Sequence, residues 1–207
     1  MQLKISKLEP KRKDAILNAA LKEFSTNGFD NASTNVIAKE AGISKGLMFH
    51  YITSKEKLFL FLYDYCVDRI NKEYIDLMNF NEKDIFERLR QSYILQIELI
   101  QQYPWIFDFI MITDITNSDE VNKKLEERVN EKLARCQEEM FEIVDETKFR
   151  EGLNLERCKQ FIFWVNVGFT NEILEDIRNS KVTELDYDKV LEDLDSYLNE
   201  LKQIFYK

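Results

Sequence analysis

The chain has 207 residues, 44% hydrophobic and 13% aromatic, with 29 Lys and Arg against 38 Asp and Glu. Five glycines and two prolines are too few for a turn-rich all-β fold or a disordered chain, and the apolar content suffices for a sizeable core. There is no run of about 18 apolar residues and no cleavable leader pattern, so the expectation is a soluble cytoplasmic protein without a membrane partner.

Helical spacing dominates from the start. In PKRKDAILNAALKEFSTNG the apolar residues Ile16, Leu17, Ala20, Leu21 and Phe24 fall on one helical face. Pro10 suits the start of this helix and Gly28 its end. In STNVIAKEAGISKGLMFHYI, Ser33 or Thr34 can cap a helix running to about Ala41. Gly42 supplies a left-handed stop, and Ser44 caps the next helix two residues later. So tight a turn forces two short helices to cross steeply, as in a helix-turn-helix. Ala38 is small at the crossing, and Ile37, Ile43, Met48 and Ile52 offer apolar surface between the helices. Thr53 and Glu56 fit a capping box that opens a helix over 55–77.

Further helices are predicted near 82–103, 104–116, 119–146, 155–180 and 186–206. Pro104, Asn117-Ser118-Asp119, Glu151-Gly152 and Asn179-Ser180 mark the breaks. No alternating strand pattern or internal repeat appears. The expected fold is all-α, with a small domain at 1–54 and a larger one at 55–207.

Catalytic and metal chemistry find little support. His50 is the only histidine, so every two-histidine metal motif is excluded, and no cysteine or carboxylate lies at ligand spacing from it. Neither a glycine-rich phosphate loop nor a G-x-S-x-G is present, and no cofactor is implied. Cys66, Cys136 and Cys158 contain no C-x-x-C pair and read as buried free thiols; a redox pair between Cys136 and Cys158 has only its spacing to recommend it.

Charge is uneven along the chain. Residues 1–60 carry ten Lys and Arg against six Asp and Glu, net +4, whereas the remaining 147 carry 19 against 32, net −13. A basic head on an acidic body directs a polyanion to one end. Lys11, Arg12 and Lys13, then Lys45, then Lys55 stand in the first turns of successive helices. A cation there opposes the helix dipole by about 0.3–1 kcal/mol, whereas a bound phosphate would reverse the sign. The plain alternative is solvated surface lysines.

Residues 15–58 carry three motifs in a row. They are Ala-x-x-x-Phe-x-x-x-Gly-Phe, Ile-Ala-x-x-Ala-Gly-Ile-Ser-Lys-Gly and His-Tyr-x-x-Ser-Lys-Glu-x-Leu. This stretch resembles the amino-terminal DNA-binding domain of TetR-type transcriptional regulators. The resemblance implies a three-helix DNA-binding domain followed by a helical ligand-binding and dimerisation domain. It implies that Thr34 and Ser44 bind phosphates, Lys45 enters the major groove and Gly46 allows close backbone approach. His50 and Tyr51 would hydrogen-bond phosphates, and Lys55 would pair with one at the next helix start. Phe49 stands where the family usually has tyrosine, leaving ring contact only. Leu47, where a small or polar residue is common, can touch a thymine methyl or simply pack, and Ile52 replaces a common phenylalanine.

A short recognition helix reads few base pairs, so specificity asks for two copies about one helical turn apart or a multiple of it. Phe161, Trp164, Val165, Gly168 and Phe169, with Leu191, Leu194, Leu198, Leu201 and Phe205, form two apolar stripes at helical spacing. The resemblance implies that these helices meet their symmetry mates as a four-helix bundle, making a homodimer; the plain alternative is that both stripes are intramolecular core. The middle helices are the expected sensor, PWIFDFIMITDI being apolar almost all round. Tyr93, Trp105, Phe109, Met111 and Phe163 could line a cavity for an apolar or aromatic small molecule or form plain core, and Asp108 could meet a cationic ligand or reach solvent or a nearby Arg or Lys. The resemblance further implies that ligand shifts helix 55–77 and releases an operator. The competing readings are a DNA-binding adaptor answering to a protein partner and, least supported, an enzyme in the carboxy-terminal domain.

Overall fold

A computed structural model describes residues 4–112, 116–128, 131–179 and 186–207. Ten α-helices are seen among them: α1 (Pro10–Asn31), α2 (Thr34–Glu40), α3 (Lys45–Ile52), α4 (Lys55–Glu73), α5 (Ile85–Gln102), α6 (Ile106–Ile112), α7 (Asp119–Glu126), α8 (Glu131–Glu142), α9 (Leu155–Asn179) and α10 (Tyr187–Phe205). The all-α expectation holds among the described residues, where an isolated bridge between Phe149 and Tyr206 is the β-type pairing seen. By contact the chain sorts into two compact units, one of residues 1–72 with 102–133 and one of 73–101 with 134–207. Residues 55–72 thus group with the amino-terminal helices, because α4 packs into their core.

The core of the first unit is built from α1 outward. Ile16, Leu17, Ala20, Leu21 and Phe24, the five residues assigned to one face, are all fully buried. Phe24 stands edge-on to Phe59 of α4 at 5.0 Å, and Phe59 edge-on to Phe109 of α6 at 5.2 Å. Edge-to-face pairs of this kind contribute about 0.5–1.5 kcal/mol each beyond area burial. Gly28 (φ 68°) kinks the end of α1 and so lets Phe29 turn in against Phe59 at 5.0 Å. Beyond α6, the end of α7 is tied to α4 by Lys124–Glu56 (2.6 Å) and Arg128–Asp64 (3.1 Å).

The second unit centres on Arg88, which is fully buried. Its guanidinium donates to the carbonyls of Glu82, Glu139, Met140 and Ile143, satisfying the last turn of α8. Asp84 caps α5 through the Phe86 N–H (3.0 Å), meets the Lys148 ammonium at 2.8 Å and accepts from the Tyr206 hydroxyl at 3.1 Å. Burial opposes its charge, but these donors hold the carboxyl below the usual range. The chain end is pinned alongside residues 148–150, the Arg150 N–H donating to Phe205 O and the Lys207 N–H to Lys148 O.

Several predicted elements need correction. The single helix expected over 119–146 is two helices, α7 and α8. Arg128 Nη1 donates to Lys124 O at 2.6 Å and closes α7, although no glycine or proline stands there to signal a stop. The helix expected to be buried all round near 104–116 is one-sided: Ile106 and Phe109 are fully buried while Met111 is 80% exposed. Apolar composition overstated its burial, because α6 packs by one face only; the part of that helix at 113–115 lies outside the described residues. The helix over 55–77 ends at Glu73 and is followed by a 3-10 turn at Ile75–Leu77. Cys66, Cys136 and Cys158 are free and buried, as expected.

Candidate nucleic-acid interface

Helices α2 and α3 are joined by Ala41-Gly42-Ile43-Ser44, and the geometry follows from local chemistry. Gly42 takes φ 67°, and the Ile43 N–H bonds to Ala38 O at 2.9 Å, which ends α2 and turns the chain. Ile37, Ala38, Met48 and Ile52 are buried and lock the two helices together. Ser44 caps α3 as expected, its Oγ accepting from the Leu47 N–H at 3.2 Å. Its own O–H remains able to donate.

Burial of Met48 and Ile52 fixes the outward face of α3. Lys45 and Phe49, four residues apart, share one exposed stripe, and Gly46 and His50 share the next. Leu47 and Tyr51 are half-buried, as is Thr34 at the start of α2. No ion pair to Lys45 is seen among the described residues. A Cβ at Gly46 would meet nothing within 4 Å, so the bare backbone there serves the outer surface rather than the internal packing.

Three features were not foreseen in the sequence. First, the hydroxyl of Ser33 makes no capping bond to α2. Instead Glu23 of α1, itself buried, accepts the Ser33 N–H at 2.8 Å and so fixes where α2 begins. Second, Thr53 takes φ 69°, and α4 is capped by Ser54, whose Oγ accepts from the Lys57 N–H at 3.2 Å. Glu56, assigned to a capping box, pairs with Lys124 instead. Third, a 3-10 turn at Lys4–Lys7 precedes α1 with Ile5 fully buried, and Lys4 Nζ lies 3.2 Å from His50 Nε2. The pattern Leu3-Lys4-Ile5-Ser6-Lys7-Leu8 held the only hint of it, an apolar residue between two lysines.

Lys55 is engaged within the chain. Its ammonium donates to Asp30 O (3.0 Å) and Ala32 O (3.3 Å) and sits 4.8 Å over the Phe29 ring, stapling the start of α4 to the end of α1. One of its three N–H bonds is left over for a phosphate.

The other candidate residues divide between the units. Trp105, Asp108, Phe109 and Met111 belong to the first, Tyr93 and Phe163 to the second. Phe109 is core within the Phe24–Phe59 cluster. Tyr93 donates to Asn166 O at 2.9 Å, and burial pushes its hydroxyl up to about 12, so it stays a neutral donor. Phe163 stands edge-on to Phe141. These two therefore pack within the second unit. Of the proposed dimer residues, Leu194 and Leu198 are buried inside the second unit and Leu201 is half-buried, so two of these three leucines serve the monomer's own core. On α9, Phe161 (49% exposed), Trp164 (55%) and Gly168 face outward. A Cβ at Gly168 would also meet nothing within 4 Å. Between α9 and α10 lies an open groove of about 350 Å³, lined by Glu172, Asp176 and Asp193 around the stacked pair Phe169–Tyr197.

With this geometry in view, comparison with known proteins is specific at the amino end. Residues 16–62 match the family model of bacterial regulatory proteins of the tetR family. The nucleoid occlusion factor SlmA of Vibrio campbellii is 28% identical over 149 residues, covering 68% of this chain and 70% of that one. The same factor from Serratia proteamaculans is 24% identical over 147 residues, 70% and 72% of the two chains. Among solved structures, the ketosteroid transcriptional regulator KstR2 of Mycobacterium tuberculosis superposes with a TM-score of 0.63 at 19% identity over 97% of both chains. A TetR family transcriptional regulator from Chloroflexus aurantiacus gives 0.61 at 16% identity, over 98% of this chain and 97% of that one. At such identities the structural likeness speaks for the fold.

Proposed function

We propose that the chain is a DNA-binding regulator of the TetR kind, as the match of residues 16–62 to that family's model supports, and that it works as a homodimeric repressor. In this reading α3 enters the major groove of an operator, and an apolar or aromatic small molecule releases the hold. The observation that carries the DNA-binding part is the outward face of α3, with Lys45, Gly46, Phe49 and His50 held exposed by the burial of Met48 and Ile52. Lys45 supplies a mobile cation to base acceptors or phosphate, Phe49 an apolar edge for a thymine methyl, and Gly46 room for the backbone. Thr34, Ser44 and Tyr51 supply hydroxyl donors to flanking phosphates. The third ammonium proton of Lys55 is a minor addition.

Dimerisation is proposed through the outward face of α9, where Phe161 and Trp164 leave a large apolar area in water and Gly168 would admit a helix closely. A ligand acts in this scheme by binding one position of α4 more tightly than another, since α4 follows α3 after two residues, and can shift the equilibrium only by that difference.

A second reading replaces the small molecule by a protein partner. It is favoured by the same exposed aromatic face, which would suit a protein as well as a second copy, and by the likeness to nucleoid occlusion factors. The test of the DNA-binding core common to both is to sequence duplexes retained from a random library. A two-fold symmetric site, with half-sites separated by about one helical turn or a multiple of it, is expected. Retention without sequence enrichment would refute the operator reading.

A further inference from the structure

We propose that the amino-terminal turn Lys4–Lys7 is a second DNA-contacting element, in which Lys4 and His50 together clamp one phosphate; this rests on α3 being the DNA-facing helix. The turn is anchored, since Ile5 is fully buried and the Leu8 N–H bonds to Ile5 O at 3.3 Å. Anchoring at Ile5 brings its neighbour Lys4 to the exposed edge of α3, where Nζ lies 3.2 Å from His50 Nε2.

The chemistry of that pair points to an acceptor-only ligand. An ammonium has no lone pair, so Lys4 donates and His50 Nε2 accepts, which puts the ring proton of the neutral imidazole on Nδ1. The pair then holds two spare ammonium protons and one ring N–H, and no acceptor. The His50 ring is held in turn by Tyr51, edge-on at 5.7 Å, which limits how far it can swing. No carboxylate pairs with Lys4 or Lys45 among the described residues. An exposed hydrogen bond of this kind contributes little in water, because water competes for both partners. A phosphate oxygen placed between them would take over from that bond, accepting from the Lys4 ammonium and, with the ring proton moved to the Nε2 tautomer, from His50 Nε2–H, and would relieve the crowding of positive charge along α3. The sequence resemblance begins after this turn, so nothing in the motif assigns Lys4 a role.

The experiment is a double-mutant cycle read by DNA affinity. Fluorescence anisotropy would follow the wild type, Lys4→Ala, His50→Ala, the double variant and Lys4→Arg, with Ile5 kept so that the turn stays docked. The probes are the duplex retained by the wild type from a random library and a scrambled duplex of equal length, over about 50–300 mM KCl. Lys4→Ala is expected to weaken binding about 5–10-fold on both duplexes and make the log–log salt slope shallower by about one. In the His50→Ala background the loss from Lys4→Ala shrinks by about threefold or more, and Lys4→Arg restores most of the affinity. If Lys4→Ala changes neither affinity nor slope while Lys45→Ala lowers both, the clamp is wrong and the α3 reading survives. If the wild type binds neither duplex, the α3 reading itself falls and takes the clamp with it.

Discussion

On α3 of the first unit, Lys45 and His50 stand exposed over a buried apolar face; on α9 of the second, Phe161 and Trp164 stand half-exposed over theirs. Both helices are locked from within, α3 by Met48 and Ile52, α9 by Cys158, Ile162 and Ile173. Neither outward set is required by its own core. The difference between them is chemical. Cations at the edge of a short, rigid helix suit a polyanion, whereas aromatic rings on a long helix suit another apolar surface. One chain thus presents two kinds of unmet surface, and substitutions can separate them.

The largest effect is expected on α9. Phe161→Ala with Trp164→Ala should weaken self-association by about 100-fold or more, as central aromatic anchors do. Analytical ultracentrifugation checks this, and an unchanged dimer mass at micromolar concentration would move the interface elsewhere. Next comes the integrity of the second unit. Asp84→Ala removes a helix cap, an ion pair and the Tyr206 bond, and should cost about 2–4 kcal/mol in urea unfolding.

That contribution has a definite pH sense. Because the folded carboxyl is held below its unfolded value, the stabilisation is present above the ordinary aspartate range and is lost as pH falls through the lower, folded value. Wild type and Asp84→Asn should therefore converge in stability only under strong acid; a gap that widened on acidification would contradict this. A smaller effect separates structure from contact within the first unit. Lys55→Ala should lower thermal stability by about 1–2 kcal/mol while leaving the salt slope of DNA binding nearly unchanged, because its ammonium is already bonded to Asp30 and Ala32. A slope change equal to that of Lys45→Ala would restore Lys55 to the interface.

Legibility in the sequence followed how local the cause was. The buried face of α1 and the turn at Gly42 were readable because periodicity and one left-handed residue decide them. The Ser44 cap was readable for the same reason. The break between α7 and α8 was hidden, because Arg128 closes α7 and anchors it on Asp64 of α4, 64 residues away in the chain. Glu23 capping α2 and Lys55 stapling α1 were hidden likewise: each looks like an ordinary charge until distant backbone arrives beside it. Met111 shows the reverse error, an apolar residue assigned to a cavity that stands in water. The motif is what suggested the DNA-contact residues proposed on α3, whereas the place of Lys4 depends on where Ile5 docks and left no mark in the motif.

The central claim is that α3 presents its exposed cations to phosphate and bases. The most direct measurement is the affinity of the wild type and Lys45→Ala for the retained duplex across a salt series. Affinity lowered by about tenfold, with a slope shallower by about one phosphate, is the predicted result. Identical curves for the two proteins would contradict the account.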